Sequence, residues 1–271
     1  MMDLIQELHS EFQCSDNGIF ISNFQGYWSN LLKDENRLLT GELEVMSARE
    51  ALRKHQPWLE DVIYSPKRQA GLELLELNGD ETCIDYGCMW GALTIPLAKR
   101  TTFVLGIDQT IDSLLFLKAR AREEHLENIA LLCTDVNKMS PLKNKVDIAI
   151  VSGLLEWIPE EGPIELKAYY GKYGKKDYRG QPGAQQKAFL KHLYGQLKEN
   201  GKLYLSIENR YDFKVFFGAK DPHSNIYFTS FLPRKFADTV SRIRLGRPYV
   251  NWLHSFKGID VLLKESGFSE V

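Results

Sequence analysis

The chain has 271 residues, 44% of them hydrophobic and 26% charged, with a formal net charge of −2. That length supports one large α/β domain, or one domain with an added subdomain, around a sizeable core. The near-neutral balance gives no electrostatic footprint for nucleic acid, so no DNA partner is expected, and no apolar run reaches the roughly 18 residues of a membrane span.

The N-terminus, MMDLIQELHSEFQ, is acidic and amphipathic and lacks the basic and long apolar regions of a signal peptide. Four cysteines, Cys14, Cys83, Cys88 and Cys133, show no metal-ligand spacing and read as reduced thiols of a cytoplasmic protein; no metal is expected. Residues 1–60 are expected to form a helical extension, with a turn at CSDNG (14–18) and a helix from Gly41 to about His55 that Pro57 ends. SPKRQAGLELLELN (65–78) then starts a helix, with Ser65 as N-cap and Pro66 at its first position.

From residue 61 to 271 the pattern alternates. TCIDY (82–86), TFVLGID (102–108), IALLCTD (129–135), VDIAIVSG (146–153) and KLYLSIE (202–208) are short apolar runs rich in β-formers, and helical patterns separate them. Strands apolar on both faces and alternating with helices predict a doubly wound, Rossmann-like, mostly parallel sheet flanked by helices. A long insertion rich in Gly, Tyr and Lys (160–185) follows the fourth run; loops of this length are often lids or binding loops. The ending HSFKGIDVLLKESGFSEV reads as a helix, a stop at Gly267 and the first residues of another strand, so a longer protein with further C-terminal strands is expected.

The stretch after the first run, DYGCMWG (85–91), carries the chemistry. A glycine in the loop leaving a strand removes the Cβ that would block a close-lying cofactor, and Gly87 and Gly91 suit that role. The G-x-G-x-x-G of a dinucleotide site is absent, since Met89 and Trp90 intervene. What remains, D-x-G-x-x-x-G, resembles motif I of class I S-adenosylmethionine-dependent methyltransferases, with Met89 where most members have glycine. Asp108 and Asp135 end the next two runs, so three acids stand at successive strand ends, an arrangement better suited to an adenosyl cation than to a pyrophosphate. The alternative for each is a plain cap or turn aspartate. The resemblance implies S-adenosylmethionine as cofactor, held by Tyr64, Asp85, Gly87, Cys88, Gly91, Asp108, Gln109, Asp135, Val136 and Ser152.

YSPKR (64–68), SGLLEWIP (152–159) and LKENGKLYLSIENRYDFKVFFGAKDPHS (197–224) are similar to stretches of a subgroup of these enzymes associated with bacterial surface-polysaccharide biosynthesis. This narrower resemblance implies O-methylation of a saccharide or glycan-linked acceptor, with other glycan-biosynthesis enzymes or a C-terminal domain as partners. The candidate catalytic residues are Glu156, His223, Asn209 and Arg210. Glu156 follows the fourth strand and can orient or deprotonate an acceptor hydroxyl; His223 can act as base. Asn209 and Arg210, beside Glu208, can hold a polyhydroxylated or phosphorylated ligand. The competing account makes Arg210 a partner of Glu208 or Glu156 at the strand edge, His223 an exposed loop residue, and Trp157 core. Tyr169, Tyr170, Tyr173 and Tyr178, interleaved with basic residues, suggest an acceptor-binding flap. Two alternatives stay open: a methyltransferase acting on another small molecule, protein or RNA, and a degenerate domain without catalysis.

Overall fold

The computed structural model describes residues 2–23, 33–159, 181–249 and 251–271. Seven strands form one sheet: β1 (Gln13–Cys14), β2 (Phe20–Ile21), β3 (Thr82–Tyr86), β4 (Phe103–Asp108), β5 (Ile129–Cys133), β6 (Val146–Ser152) and β7 (Leu197–Ser206). Their spatial order is β1-β2-β5-β4-β3-β6-β7. The pairs β2–β5, β5–β4, β4–β3 and β3–β6 are parallel, and β1–β2 is an antiparallel hairpin. The predicted mostly parallel, Rossmann-like sheet is therefore present. Strands run outward from β3 through β4 to β5, and then β6 returns to the other side of β3. This reversal opens a crevice at the carboxyl ends of β3 and β6, where doubly wound sheets receive ligands.

Every residue of β4 is buried, as a central parallel strand between two helix layers requires. One face packs Cys83, Val104, Ile148 and Ile150 against Leu72, Leu75, Leu93 and Leu97. On another side Leu114, Leu117 and Ala121, of the helix Ile111–Glu123, meet Leu131 and Cys133. The chain divides into two compact units, residues 1–152 with 195–205, and residues 153–194 with 206–271.

The N-terminal segment departs from the expected helical extension. Met2–Glu11 and Lys33–Gly41 are helices, but the CSDNG turn closes the β1–β2 hairpin, which joins the sheet beside β5. Ser22 ties it there, its amide to the Cys133 carbonyl (3.1 Å) and its hydroxyl to Thr134 (2.7 Å). The helix expected from Gly41 begins only at Ala48, where Ser47 and Glu50 form a reciprocal capping box. Residues 65–78 do not make one helix either. Pro66 opens a four-residue turn as expected, but the Ser65 hydroxyl makes no capping bond, and the chain tightens to 3₁₀ over Ala70–Leu75 before Glu76 turns left-handed. Tyr204 lies against this turn at Gly71, where a Cβ would fall 2.2 Å from the Tyr204 hydroxyl.

In the second unit, Phe256–Ser266 is a helix capped by Ser255 and ended by Gly267 at φ +115°, as predicted. The strand expected after it is not formed. Phe268 instead packs edge-on against Tyr194, with centroids 5.3 Å apart. Gln186 joins two segments of this unit by donating to the carbonyls of Leu155 and Trp252. Of the expected insertion over 160–185, residues 160–180, with the tyrosines of the expected flap, lie outside the described residues, and 181–185 belong to the helix Gln181–Gln196.

Candidate functional site

The loop after β3 folds back onto the end of β4. The amides of Gly87 and Cys88 both donate to the Ile107 carbonyl (2.8 and 3.0 Å), and the Met89 amide donates to Asp108 Oδ2 (3.0 Å). This path needs three left-handed residues in five, Gly87 at φ +71°, Met89 at +44° and Gly91 at +77°. Glycine accepts that conformation freely, whereas a residue with a Cβ pays about 1–2 kcal/mol. Met89 thus adopts a conformation that glycine would take more freely. Gly91 is constrained twice, because a Cβ there would lie 2.1 Å from Leu117 Cδ1.

The strand-end acids differ in state. Asp85 is buried and accepts from the Thr94 hydroxyl at 2.6 Å; burial pushes its carboxyl up to about 7, against the opposing pull of that bond. Asp108 is buried as well and raised to about 6 by burial, while the amides of Thr110 (2.8 Å) and Met89 favour its ionised form. It holds loop and strand in register, a role not apparent from its position in the sequence. Asp135 lies two residues past β5 rather than at its end, where it accepts from the Asn137 amide (3.0 Å) and pairs with Lys138 (2.8 Å).

Around them, Gln109 and Val136 are half-buried beyond β4 and β5, and Ser152 is the last residue of β6. The Cys88 side chain sits in the core with Leu114 and Leu117, and burial holds its thiol well above the ordinary range, so it is packing rather than reactive. Tyr64 covers a buried cation, with the Arg120 guanidinium 4.3 Å from its ring centroid. Arg120 in turn donates to the Trp90 carbonyl, and the Trp90 ring lies 5.1 Å from Phe116 of the same helix. Thr94, Thr110 and Arg120 were missed in the sequence. A hydroxyl nine residues after Asp85 could have been noticed, but nothing in ARAREEH marks Arg120 as the buried one of the two arginines.

These residues suit an adenosyl sulfonium. Carboxylates stand at the strand ends, and Arg120, a cation that reaches the loop, is buried and committed to the Trp90 carbonyl and the Tyr64 ring, so it offers little to a pyrophosphate.

The second unit carries the other candidates. Glu156 lies in a 3₁₀ turn, Leu155–Trp157, four residues past β6, and is 2% exposed. Burial, with a smaller contribution from Glu208, raises its carboxyl to about 7, and its Oε2 has no hydrogen-bond partner among the described residues. His223 is buried, not an exposed loop residue. Trp157 covers its ring (centroids 4.8 Å apart), its Nδ1 stands 3.7 Å from Glu208 Oε2 and 3.8 Å from Asp221, and burial lowers its pKa. Glu208 itself is shifted upward by burial and by nearby aspartates.

Arg210 pairs with neither Glu208 nor Glu156. Its Nε and Nη2 donate to the carbonyls of Ser230 (2.9 Å) and Leu232 (3.0 Å), which uses much of its fork structurally. Asn209 is exposed, and its Oδ1 accepts from the Tyr211 amide to close a turn (2.9 Å). Glu156, Glu208 and His223 therefore form the titratable cluster, while Asn209 and Arg210 shape the loop beside it. No group of three or more metal-ligating side chains occurs among the described residues.

A family profile described as a methyltransferase domain matches residues 83–168. The chain is 33% identical over 70 residues, 26% of its own length and 16% of the relative's, to a 23S rRNA (uracil(1939)-C(5))-methyltransferase of Haemophilus parainfluenzae. It is 25% identical over 144 residues to a ubiquinone biosynthesis O-methyltransferase of Bradyrhizobium diazoefficiens, covering 53% of the chain and 46% of that protein. The matches thus span less than half the length of these curated relatives. Among solved structures, a phosphoethanolamine N-methyltransferase of Haemonchus contortus, in complex with phosphomonomethylethanolamine and S-adenosylhomocysteine, superposes with a TM-score of 0.51 at 15% identity, over 84% of this chain and 46% of that one. The profile match covers the β3 loop and the acids after it, and the superposition shows that the chain shares the Rossmann-like fold of that methyltransferase.

Proposed function

We propose that the chain transfers a methyl group from S-adenosylmethionine to an oxygen of a small-molecule acceptor, and that this acceptor is a saccharide or glycan-linked hydroxyl. Bound, the cofactor supplies an electrophilic methyl on its sulfonium. The protein's part is alignment, water exclusion and removal of one proton. Asp108 would accept from the ribose hydroxyls of the cofactor, and the Gly87–Gly91 loop would help to hold it. Glu156 is the acceptor base. A carboxyl near about 7 is partly ionised at neutral pH and is a far better proton acceptor than an ordinary glutamate. His223, neutral at that pH, orients the acceptor hydroxyl through Nδ1.

The observation that carries this reading is the orphaned, buried Oε2 of Glu156 with its raised pKa, because an unpaired buried carboxyl is retained at a cost in stability. The oxygen acceptor is supported by the partial likeness to an O-methyltransferase. The glycan class is supported by the stretches 64–68, 152–159 and 197–224.

The test is calorimetry with S-adenosylmethionine, S-adenosylhomocysteine and NAD on wild type and Asp108→Ala. Binding of both adenosyl ligands, lost in the variant and absent for NAD, is expected. With binding in hand, methyl incorporation into sugar and lipid-linked sugar acceptors should fall at least a hundredfold in Glu156→Gln. Undiminished transfer by that variant would remove Glu156 from the mechanism.

A further inference from the structure

The second unit leaves an unusual amount of aromatic surface in water. Phe213, Phe216 and Phe217 are 68%, 71% and 84% exposed, all within five residues. Phe213–Phe216 is a single helical turn, capped by Asp212 accepting from the Lys214 amide. Beside it Tyr211 stacks on Phe231 and Phe216 meets Phe231 edge-on, both with centroids 5.9 Å apart. Tyr211, Phe213, Phe216, Phe228 and Phe231 border an open cavity of about 710 Å³. A second apolar strip adjoins in sequence, with Phe236 and Ile243 exposed on the helix Arg234–Leu245 and Lys235, Arg242 and Arg244 around them.

The surface is built on a firm base. Asp221 is fully buried; it accepts from the amides of His223 and Ser224 and from the Tyr249 hydroxyl (2.8 Å). The chain leaving that turn holds Phe228 at φ +61°, a conformation that a bulky residue adopts only under compensation. Charge is sorted along with the aromatics. Residues 210–247 contain eight lysines and arginines against three aspartates, in a chain whose net charge is −2, and two of those aspartates, Asp221 and Asp238, are buried. Arg210 and Arg234 are committed to backbone carbonyls and Arg242 to Asp238, but Lys214, Lys220 and Lys235 are exposed. Exposed phenylalanines interspersed in sequence with exposed lysines and few exposed acids match the chemistry of an anionic lipid interface, where aromatic side chains enter the headgroup–acyl boundary and cations meet phosphate.

We propose that this face of the second unit docks on an anionic bilayer surface, with Phe213, Phe216 and Phe217 as the inserted side chains and Lys214, Lys220 and Lys235 as the phosphate contacts. The proposal is independent of the methyl-transfer reading.

The test is co-sedimentation of the whole chain with phosphatidylcholine vesicles, with and without phosphatidylglycerol, at low and high salt. Wild type should bind the anionic vesicles, weaken with salt, and bind neutral vesicles far less. Phe216→Ser/Phe217→Ser, at exposed positions that leave the core intact, should lose roughly tenfold in partition per phenylalanine removed. Lys214→Glu/Lys235→Glu should lose the preference for anionic lipid, with unchanged circular dichroism in both variants. Absence of binding to either vesicle, equal binding to both, or full retention by the phenylalanine variant would each overturn the proposal. So would a wild-type dimer in sedimentation equilibrium that the phenylalanine variant abolishes without any vesicle binding, since the face would then be covered by a second copy.

Discussion

Glu156→Gln isolates the cost of keeping a carboxyl buried and unpaired. Burial raises the folded-state pKa of Glu156 from an ordinary 4.5 to about 7. Between those values the folded protein keeps a proton that the unfolded chain has released, so stability is fully present below about 4.5 and is lost as pH rises through about 7. At 1.36 kcal/mol per unit of pKa shift, the loss is on the order of 3 kcal/mol. Glutamine does not titrate, and its unpaired amide costs about the same at every pH. Asp85 and Asp108 slope in the same direction, but they are common to both proteins and cancel in the difference. The observable is thus the gap in Tm between variant and wild type, followed by circular dichroism from about pH 4 to about pH 8. It should move in favour of the variant by roughly 5–10 °C across that range. A gap that stays constant with pH would refute the reasoning, because Glu156 would then titrate as an ordinary glutamate with no poised base to offer.

Three further outcomes are expected. Gly91→Ala places a Cβ 2.1 Å from Leu117 Cδ1 at φ +77° and should cost about 2–4 kcal/mol in urea denaturation; a loss below about 1 kcal/mol would mean the loop moves freely off the helix. Met89→Gly relieves the φ of +44° but gives up part-buried side chain, so stability should change by less than about 1 kcal/mol. Cofactor binding should tighten in the same variant, and weaker binding by calorimetry would show that the Met89 side chain itself touches the ligand. Thr94→Val removes the 2.6 Å bond to Asp85 and should destabilise by about 1–3 kcal/mol above about pH 8 but less below about pH 6, where the carboxyl is protonated; equal losses at both would place Asp85 outside this account.

Long, strongly patterned segments were legible in the sequence. β3, β4 and β6 are apolar on both faces and flanked by turn chemistry, and their boundaries fall within a residue of those predicted. The hairpin was not legible, because Gln13–Cys14 and Phe20–Ile21 are too short to carry any period. Its turn was visible while its pairing, set by the distant β5, was not. Glu208 lies beyond β7, since that strand starts at Leu197 and ends at Ser206, earlier than the apolar run KLYLSIE suggested. At the site, residue types were readable and their commitments were not. Arg210 looked available for a ligand, and two backbone carbonyls claim it. His223 looked exposed, and tertiary packing under Trp157 buried it. Sequence spacing orders residues along one chain, whereas these outcomes depend on what other segments bring alongside.

The two-residue hairpin has a consequence for how the molecule avoids its own kind. Without it, β5 would present its outer row of amides and carbonyls to solvent, a template on which a strand of another chain could add. β2 occupies the Leu132–Cys133 end of that row, and β1 then closes it with only Gln13 and Cys14. An edge two residues long offers a stranger too few hydrogen bonds to hold. The first twenty-one residues therefore terminate the sheet on the β5 side, and any shortened version of the chain that discards them as a dispensable extension would expose an adhesive border there.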